Sequence, residues 1–470
     1  MKQSKFNVLI TPESSPRFAI LYNTFHDHRI VIENTDFNIT DFFKKISDHS
    51  ELSAAETETA NTFFEMGILL ADDVDERQLF DDWYVNKVQN ASGRLSLIVL
   101  TTMACNLRCP YCYEKDQLDN SKHMSLETTN QLINWVKSEV RRKAVDEVEI
   151  IYFGGEPLMN KKMVLHMSGA LRDFCKTYGI HYQGSMVSNG VLMTPAVAKE
   201  LRGVGLTFAK ITLDGDKAMH DTTRITSSGR GSFDQIFFNL EHANDDLAVG
   251  EEPMTFMIGG NFSPETYDGF FPLLDRLAAA SFRPYIKSIN LKPVQNVTSS
   301  ASEANVSSPC DVVCFNEDNT TRMIQLRAEL AKRGLPALDG LNLGPCDFYR
   351  GDSYTVGING GLYPCIAFVD NEKAAVGHVQ DSVPKISHLR THQKWLDTKP
   401  WTHECYNCSF LPVCTGGCRA TAVSNGRSWS STVCEKEYFK RIAKALASEI
   451  LEADSEAELE VAAEPVAKAI

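Results

Sequence analysis

Between Arg94 and Lys292 the chain alternates apolar strand-like segments with amphipathic helical ones, and no other feature limits the fold as strongly. The strand candidates are Leu95–Thr102, Val148–Phe153, Tyr182–Asn189, Phe208–Asp214, Met254–Gly260 and Ile286–Lys292. Helical periodicity lies between them, as in Leu126–Arg142 and Lys161–Tyr178. Parallel neighbours need a crossover long enough to hold a helix, so this repeat predicts an α/β fold with a parallel sheet. Right-handed crossovers curl six such units toward a partial (β/α)6 barrel of the TIM type, in which reactive groups gather at the C-terminal strand ends.

The flanks differ. Within residues 1–90, Phe6–Ile10 and Arg17–Asn23 read as paired strands and Arg29–Glu33 as a third. Helical segments near Asp36–Ile46 and Ser53–Glu65 and a short strand in Gly67–Asp73 complete a winged-helix-like module. The barrel is expected over 94–308, ending in a loop at Val294–Ser308. From 309 to 440 irregular stretches rich in Gly, Pro and Cys replace the alternation, as in a domain where metal substitutes for a large core. An acidic helix or tail is expected over 441–470. A chain of 470 residues has room for several units, since single cores stop growing near roughly 250–300 residues.

No run approaches the ~18–20 apolar residues of a spanning helix, and the N-terminus lacks the apolar stretch of a signal peptide, so a cytoplasmic protein off the membrane is expected. A net charge of −14 disfavours nucleic acid and anionic lipid as partners. Thirteen cysteines without an export signal point to metal or redox chemistry rather than disulfides.

Three of them, Cys105, Cys109 and Cys112, stand in ACNLRCPYCYEK directly after the first barrel strand. Three thiolates in a tight loop suit three corners of an iron–sulfur cube and leave the fourth iron without a protein ligand. A structural zinc site would need a fourth ligand nearby, and the sequence offers none. FGGEP, with Gly154, Gly155 and Glu156, follows the second strand; SNG, with Ser188, follows the third; TLDG, with Asp214, follows the fourth; HDTTR ends at Arg224. SNG and LDG are also ordinary turn sequences, and it is their order after successive strands that marks them.

A second series comprises Cys346, Cys365, Cys405, Cys408, Cys414, Cys418 and Cys434, ending in C-x2-C-x5-C-x3-C and the separate Cys434. Cys310 and Cys314 lie outside it and are read as inert thiols, with a missing cluster ligand or a thiol role as the alternative, and Cys175, among Leu171 and Phe174, as packing.

The triad, with Tyr111 before its last cysteine, resembles the radical SAM signature, and the seven later cysteines resemble the SPASM extension of peptide-modifying radical SAM enzymes. The resemblance implies that the open iron chelates S-adenosylmethionine, whose reductive cleavage yields a 5′-deoxyadenosyl radical. It implies cofactor contacts at Tyr111, Gly154, Gly155, Glu156, Ser188, Asp214 and Arg224, with Glu156 accepting the methionine amino group. It further implies three 4Fe-4S clusters. One lies on the triad, one auxiliary cluster on Cys346, Cys365 and Cys418, and a second on Cys405, Cys408, Cys414 and Cys434.

Relatives with a fully ligated first auxiliary cluster carry another cysteine where this chain has Asp352, so either Asp352 ligates or one iron is open to a substrate thiolate. Sulfatase-maturing relatives carry Asp after the cysteine matching Cys365; here it is Ile366, which counts against formylglycine formation. Residues 1–90 resemble the precursor-recognition domain of peptide maturases, which implies a leader-bearing precursor peptide as partner, added as a strand to a sheet edge, and a reduced flavodoxin or ferredoxin as electron donor. The expected reaction is a thioether crosslink, with a carbon–carbon crosslink or sulfatase-type maturation as alternatives.

Overall fold

The computed structural model describes residues 1–12, 17–33, 37–90, 93–112, 114–115, 117–294, 316–338, 341, 346, 349–399 and 401–457. Cys310 and Cys314 lie outside the described residues.

The chain begins with β1 (Lys2–Gln3), β2 (Asn7–Ile10), β3 (Phe18–Asn23) and β4 (His28–Glu33), of which β2, β3 and β4 form an antiparallel sheet in that order. Side chains alternate across a strand, so β3 serves two faces. Leu21, with Ile30 and Ile32, packs on α1 (Ile39–Ser47) and α2 (Ala54–Glu65). Asn38 caps α1, and α2 starts at a reciprocal Ser53–Glu56 capping box. β5 (Leu69–Leu70) returns to pair with β1. Helix α3 (Glu76–Tyr84) follows and runs into a π-helical turn, Val85–Gln89. Phe80, Tyr84 and Val88 are buried in the main core with Leu95 and Leu97, so the last part of the expected 1–90 module is built into the barrel side of the molecule.

The six expected strands form as β6 (Arg94–Thr102), β7 (Glu147–Gly154), β8 (His181–Ser188), β9 (Leu206–Thr212), β10 (Thr255–Phe262) and β11 (Ile286–Pro293), each parallel to the next. Between them run α4 (Leu126–Lys143), α5 (Lys161–Tyr178), α6 (Pro195–Gly203), α7 (Lys217–Thr223), α8 (Phe233–His242) and α9 (Phe270–Ala278). In β7, Val148, Ile150 and Tyr152 are fully buried, whereas Glu149, Ile151 and Phe153 on the other face are half-buried. Glu149 is held there by Arg94 and Ser96 of β6.

Beyond the boundary expected at 308/309, the described residues add to the same sheet and main core. Helix α10 (Glu317–Lys332) packs on α9 and β11 through Leu326 and Leu330. β12 (Ser353–Val356) then adds to the free side of β6, parallel and in register Ser353↔Ser96, and β13 (Gly361–Tyr363) and β14 (Gly377–His378) extend the sheet antiparallel. The full order is β11-β10-β9-β8-β7-β6-β12-β13-β14. The remainder is α11 (Ile386–Asp397), α12 (Leu411–Cys414), α13 (Arg419–Ser424) and α14 (Lys436–Ala457).

The second face of the N-terminal sheet, Ile10, Ile20 and Tyr22, packs on Phe410, Val413 and the α14 residues Ile442 and Leu446. Thr24 donates to the Ser409 carbonyl, and Asp81 of α3 accepts from Tyr406 at 2.8 Å and pairs with Lys399 at 3.0 Å. Among the described residues no helix is long and apolar enough to cross a membrane.

Candidate functional site

The loop leaving β6 is tied at both ends. Met103 N donates to Lys122 O at 2.9 Å, Asp119 N to Met103 O at 3.0 Å and Met124 N to Thr101 O at 2.8 Å, which makes a closed excursion carrying Cys105, Cys109 and Cys112. Its tip is fastened across the rim by Arg108 N to Ile225 O at 2.8 Å. The three thiols lie within electrostatic reach of one another. Burial pushes Cys105 up to about 12 and Cys112 up to about 11, and raises Cys109 as well. Such thiols are poor thiolates on their own, but coordination to a metal removes the proton outright, so the donor set fits a cluster.

β7 delivers FGGEP onto this loop. Gly154 has φ +132°, and a Cβ there would meet Thr102 O at 2.2 Å; one on Gly155 would meet Ala104 O at 2.5 Å. Only glycine permits this approach, which lets Gly155 N reach Thr102 O at 3.0 Å and Glu156 N reach Ala104 O at 2.8 Å. Glu156 is fully buried, and its carboxylate accepts from Leu158 N at 3.1 Å, Ser188 Oγ at 2.9 Å and Asn189 N at 2.8 Å. Burial raises its pKa, and these three donors oppose that rise. Two of the expected cofactor contacts, Glu156 and Ser188, are therefore bonded to each other, and most of the acceptor capacity of Glu156 is spent inside the protein. Asn189, which the sequence reading passes over, extends toward the triad, donating to Asn106 Oδ1 at 2.8 Å with Cys105 Sγ 4.0 Å away.

Tyr111, Asp214 and Arg224 meet on the opposite flank. Tyr111 donates to Asp214 Oδ2, and Arg224 Nη1 donates to the Tyr111 hydroxyl at 2.7 Å while lying 3.6 Å from Asp214. Asp214 Oδ1 accepts from Asn261 N at 2.8 Å. His220, fully buried, fixes the pair from behind. Its Nδ1 accepts from Asp214 N at 3.2 Å, which leaves the proton on Nε2 for Ser232 Oγ at 3.0 Å, and Ser232 donates onward to Arg224 O at 2.6 Å. Arg224 also lies close enough to Cys109 to oppose the rise that burial gives its thiol. The Arg224 Nε proton is buried with no acceptor among the described residues. His220 is the first residue of HDTTR, of which the sequence reading singles out only Arg224; Ser232 and Asn261 carry no motif signal beyond their nearness to that segment and to a strand end.

In the later series, Cys414 has Cys408, Cys434 and Cys405 as its charged neighbours, and burial pushes it up to about 12. Three consecutive left-handed residues, Thr415 at φ +44°, Gly416 at +86° and Gly417 at +83°, reverse the chain after α12. This lets Val433 N bond Gly416 O at 2.9 Å and brings Cys434 in beside Cys414. A Cβ on Gly417 would meet Val433 O at 2.1 Å. Cys346 lies beside Tyr84 and Arg419, and Arg419 directly follows Cys418. Cys365 sits just beyond β13.

Asp352, the residue expected either to ligate or to leave one iron open, is held by a neighbouring arginine. It is 1% exposed, and its carboxylate is paired bidentately with Arg350, at 2.8 Å from Nε and 2.7 Å from Nη2. Cys175 is fully buried in the main core.

Residues 99–265 match the family model for the radical SAM superfamily. The chain is 24% identical over 355 residues to a cysteine-type anaerobic sulfatase-maturating enzyme of Clostridium novyi, covering 70% of this chain and 88% of that one. It is 24% identical over 219 residues to the radical SAM cyclopropyl synthase TigE of Paramaledivibacter caminithermalis, covering 43% and 44%. In fold it is similar to native anSMEcpe with bound AdoMet and Cp18Cys peptide, at TM-score 0.58 and 19% identity over 77% of this chain and 99% of that one. It is also similar to Streptococcus suis SuiB bound to its precursor peptide SuiA, at TM-score 0.53 and 14% identity over 93% and 99%. A rim assembled from four successive strand ends around a three-cysteine loop, within the matched span, is that of a radical SAM domain, and the chain carries this domain across residues 99–265.

Proposed function

We propose that the chain is a radical SAM enzyme that matures a ribosomally made precursor peptide, with a thioether crosslink as product. The observation that carries this reading is the meeting of two buried networks, Glu156–Ser188–Asn189 and Tyr111–Asp214–Arg224, on either side of the loop that bears Cys105, Cys109 and Cys112. Those three cysteines would hold a 4Fe-4S cluster, and S-adenosylmethionine would bind beside it. When bound, the pair supplies a hydrogen-abstracting radical. The chain's own part is to orient and to exclude water. Gly154 and Gly155 bring backbone against the loop, Asn189 presents an amide beside Cys105, and the orphaned Arg224 Nε is a donor suited to a ligand carboxylate.

The later cysteines hold two further clusters, one on Cys405, Cys408, Cys414 and Cys434 and one on Cys346, Cys365 and Cys418. Asp352 is paired with Arg350, so Cys346, Cys365 and Cys418 would hold the latter cluster without a fourth protein ligand, and that site could supply a place for a substrate thiolate, the reason for putting a carbon–sulfur bond ahead of a carbon–carbon crosslink. The peptide's leader pairs with the outer side of β4, an edge strand of the N-terminal sheet. A likeness of fold to peptide-bound SuiB over 93% of the chain leaves too few residues out to omit this module, and so supports the assignment. A flavodoxin or ferredoxin supplies the electron.

The test uses anaerobically reconstituted protein with S-adenosylmethionine and dithionite. 5′-Deoxyadenosine is expected, and its persistence after Cys105, Cys109 and Cys112 are all changed to Ala would refute the radical reading. Coexpression with a short precursor encoded alongside is expected to remove one hydrogen pair from the peptide. The alternative, sulfatase maturation, is favoured by the Clostridium novyi relative and opposed by Ile366; oxidation of a cysteine-bearing sulfatase peptide to formylglycine would establish it instead.

A further inference from the structure

Four hydrogen-bond donors are buried together without acceptors beside Cys346. Arg419 is 2% exposed; its Nη1 donates to Trp429 O at 3.1 Å and Ser431 O at 2.9 Å, but Nε and Nη2 meet no acceptor among the described residues. The Tyr84 hydroxyl and Trp401 Nε1 are in the same condition. The three side chains belong to one group. The Tyr84 and Trp401 rings pack edge to face with centroids 4.7 Å apart, Tyr84 lies 6.2 Å from Tyr349, and the Arg419 guanidinium stands 4.9 Å over that same Tyr349 ring. Cys346 is within electrostatic reach of both Arg419 and Tyr84. No carboxylate among the described residues pairs with Arg419.

A buried guanidinium without a counter-charge and two buried protons without acceptors are each costly, and native cores rarely tolerate them. Placed together they define the missing partner as anionic, rich in acceptors and held by the neighbouring thiolates. The sulfide and thiolate sulfurs of an iron–sulfur cluster meet that description. We infer that Tyr84, Trp401 and Arg419 donate hydrogen bonds to the auxiliary cluster at Cys346 and hold its reduction potential up. This rests on the assignment of Cys346, Cys365 and Cys418 made above. Donors and a cation next to the cluster stabilise its reduced, more negative state, and outer groups of this kind tune a metal site as its ligands do. They stand outside the substrate chemistry and act only through the cluster.

One of the three, Tyr84, is the last residue of α3, the helix whose Arg77 stacks 4.5 Å over Tyr406 and whose Asp81 accepts the Tyr406 hydroxyl proton. Tyr406 stands between Cys405 and Cys408, so the same helix braces both cysteine groups.

The experiment is a redox titration of the full, anaerobically reconstituted chain followed by electron paramagnetic resonance, with iron and sulfide counted for every preparation. Cys346→Ser identifies the signal that belongs to this cluster. Tyr84→Phe and Trp401→Phe each remove one donor and keep an aromatic ring in place; Arg419→Met removes the cation and its donors. Iron content is expected to stay at three four-iron clusters in Tyr84→Phe and Trp401→Phe. The midpoint potential of the Cys346-dependent signal is expected to fall in both, and further in Arg419→Met where that variant folds, with the other two signals unmoved. Unchanged potentials at full iron content in both conservative variants would overturn the inference and leave the cluster assignment standing. A wild-type chain with no Cys346-dependent signal would overturn the assignment and the inference with it.

Discussion

His220 ties Asp214 to Arg224, and its burial makes a quantitative prediction. Burial first, and the nearby Arg224 second, hold its pKa down from 6.5 to about 3. The ring is therefore neutral in the folded chain at every pH of practical interest, while in the unfolded chain it takes up a proton below its ordinary pKa. The stabilisation by the neutral ring is complete above about 6.5 and is lost progressively as pH falls from there toward about 3. At pH 5 the unfolded state gains about 2 kcal/mol from that proton, against almost nothing at pH 7. His220→Phe keeps a ring against Phe233, whose centroid lies 5.4 Å away, but leaves the Asp214 amide without its acceptor, at a cost of about 1–3 kcal/mol. The phenyl ring takes no proton, so the wild-type advantage at pH 7 shrinks by ~2 kcal/mol at pH 5. Urea unfolding of the barrel transition for both proteins at both pH values measures this directly, and all other histidines cancel in the difference. An advantage that is the same at pH 5 and pH 7 would show that folded His220 takes up its proton as readily as the unfolded chain, and the tautomer argument would fall.

Gly154→Ala has no room for its methyl group against Thr102 O and is expected to displace the FGGEP turn, abolishing S-adenosylmethionine binding in equilibrium dialysis while far-ultraviolet circular dichroism is retained. Glu156→Gln sets an amide NH2 against either the Asn189 amide or the Ser188 and Leu158 donors. A stability loss of about 1–3 kcal/mol is expected, with a raised KM for S-adenosylmethionine, read from 5′-deoxyadenosine formation. Asp352→Asn is expected to leave the iron count unchanged, because Arg350 holds that carboxylate. Arg350→Met strands a buried charge and is expected to cost about 3–5 kcal/mol in urea unfolding.

The six barrel strands are legible in the sequence because each is a short apolar run between strong helical patterns. The cysteine loop and the FGGEP turn are legible because their chemistry demands particular residues at fixed spacing. Helix α10 is not, since EDNTTRMIQLRAELAK buries only Leu326 and Leu330 among its apolar residues. Local pattern cannot reveal that β12 pairs with β6, for the partners lie far apart in the chain. The support of Asp214 by His220, Ser232 and Asn261 needs three segments in one place, and each looks like ordinary turn or helix sequence alone. Asp352 looks like a ligand substitute by position, yet Arg350, two residues before it on the same chain, claims its carboxylate.

The pairing of β12 with β6 also bears on how the protein is made. The ribosome releases β6 through β11 long before Ser353–Val356, so the growing chain carries a barrel whose first strand has an unpaired, apolar edge. Such an edge can recruit a strand from another nascent chain. Synthesis of the cysteine-rich segment is thus also the step that covers the β6 edge, and production at low temperature or with a chaperone that shields strand edges should raise the yield of unaggregated protein more than added iron does.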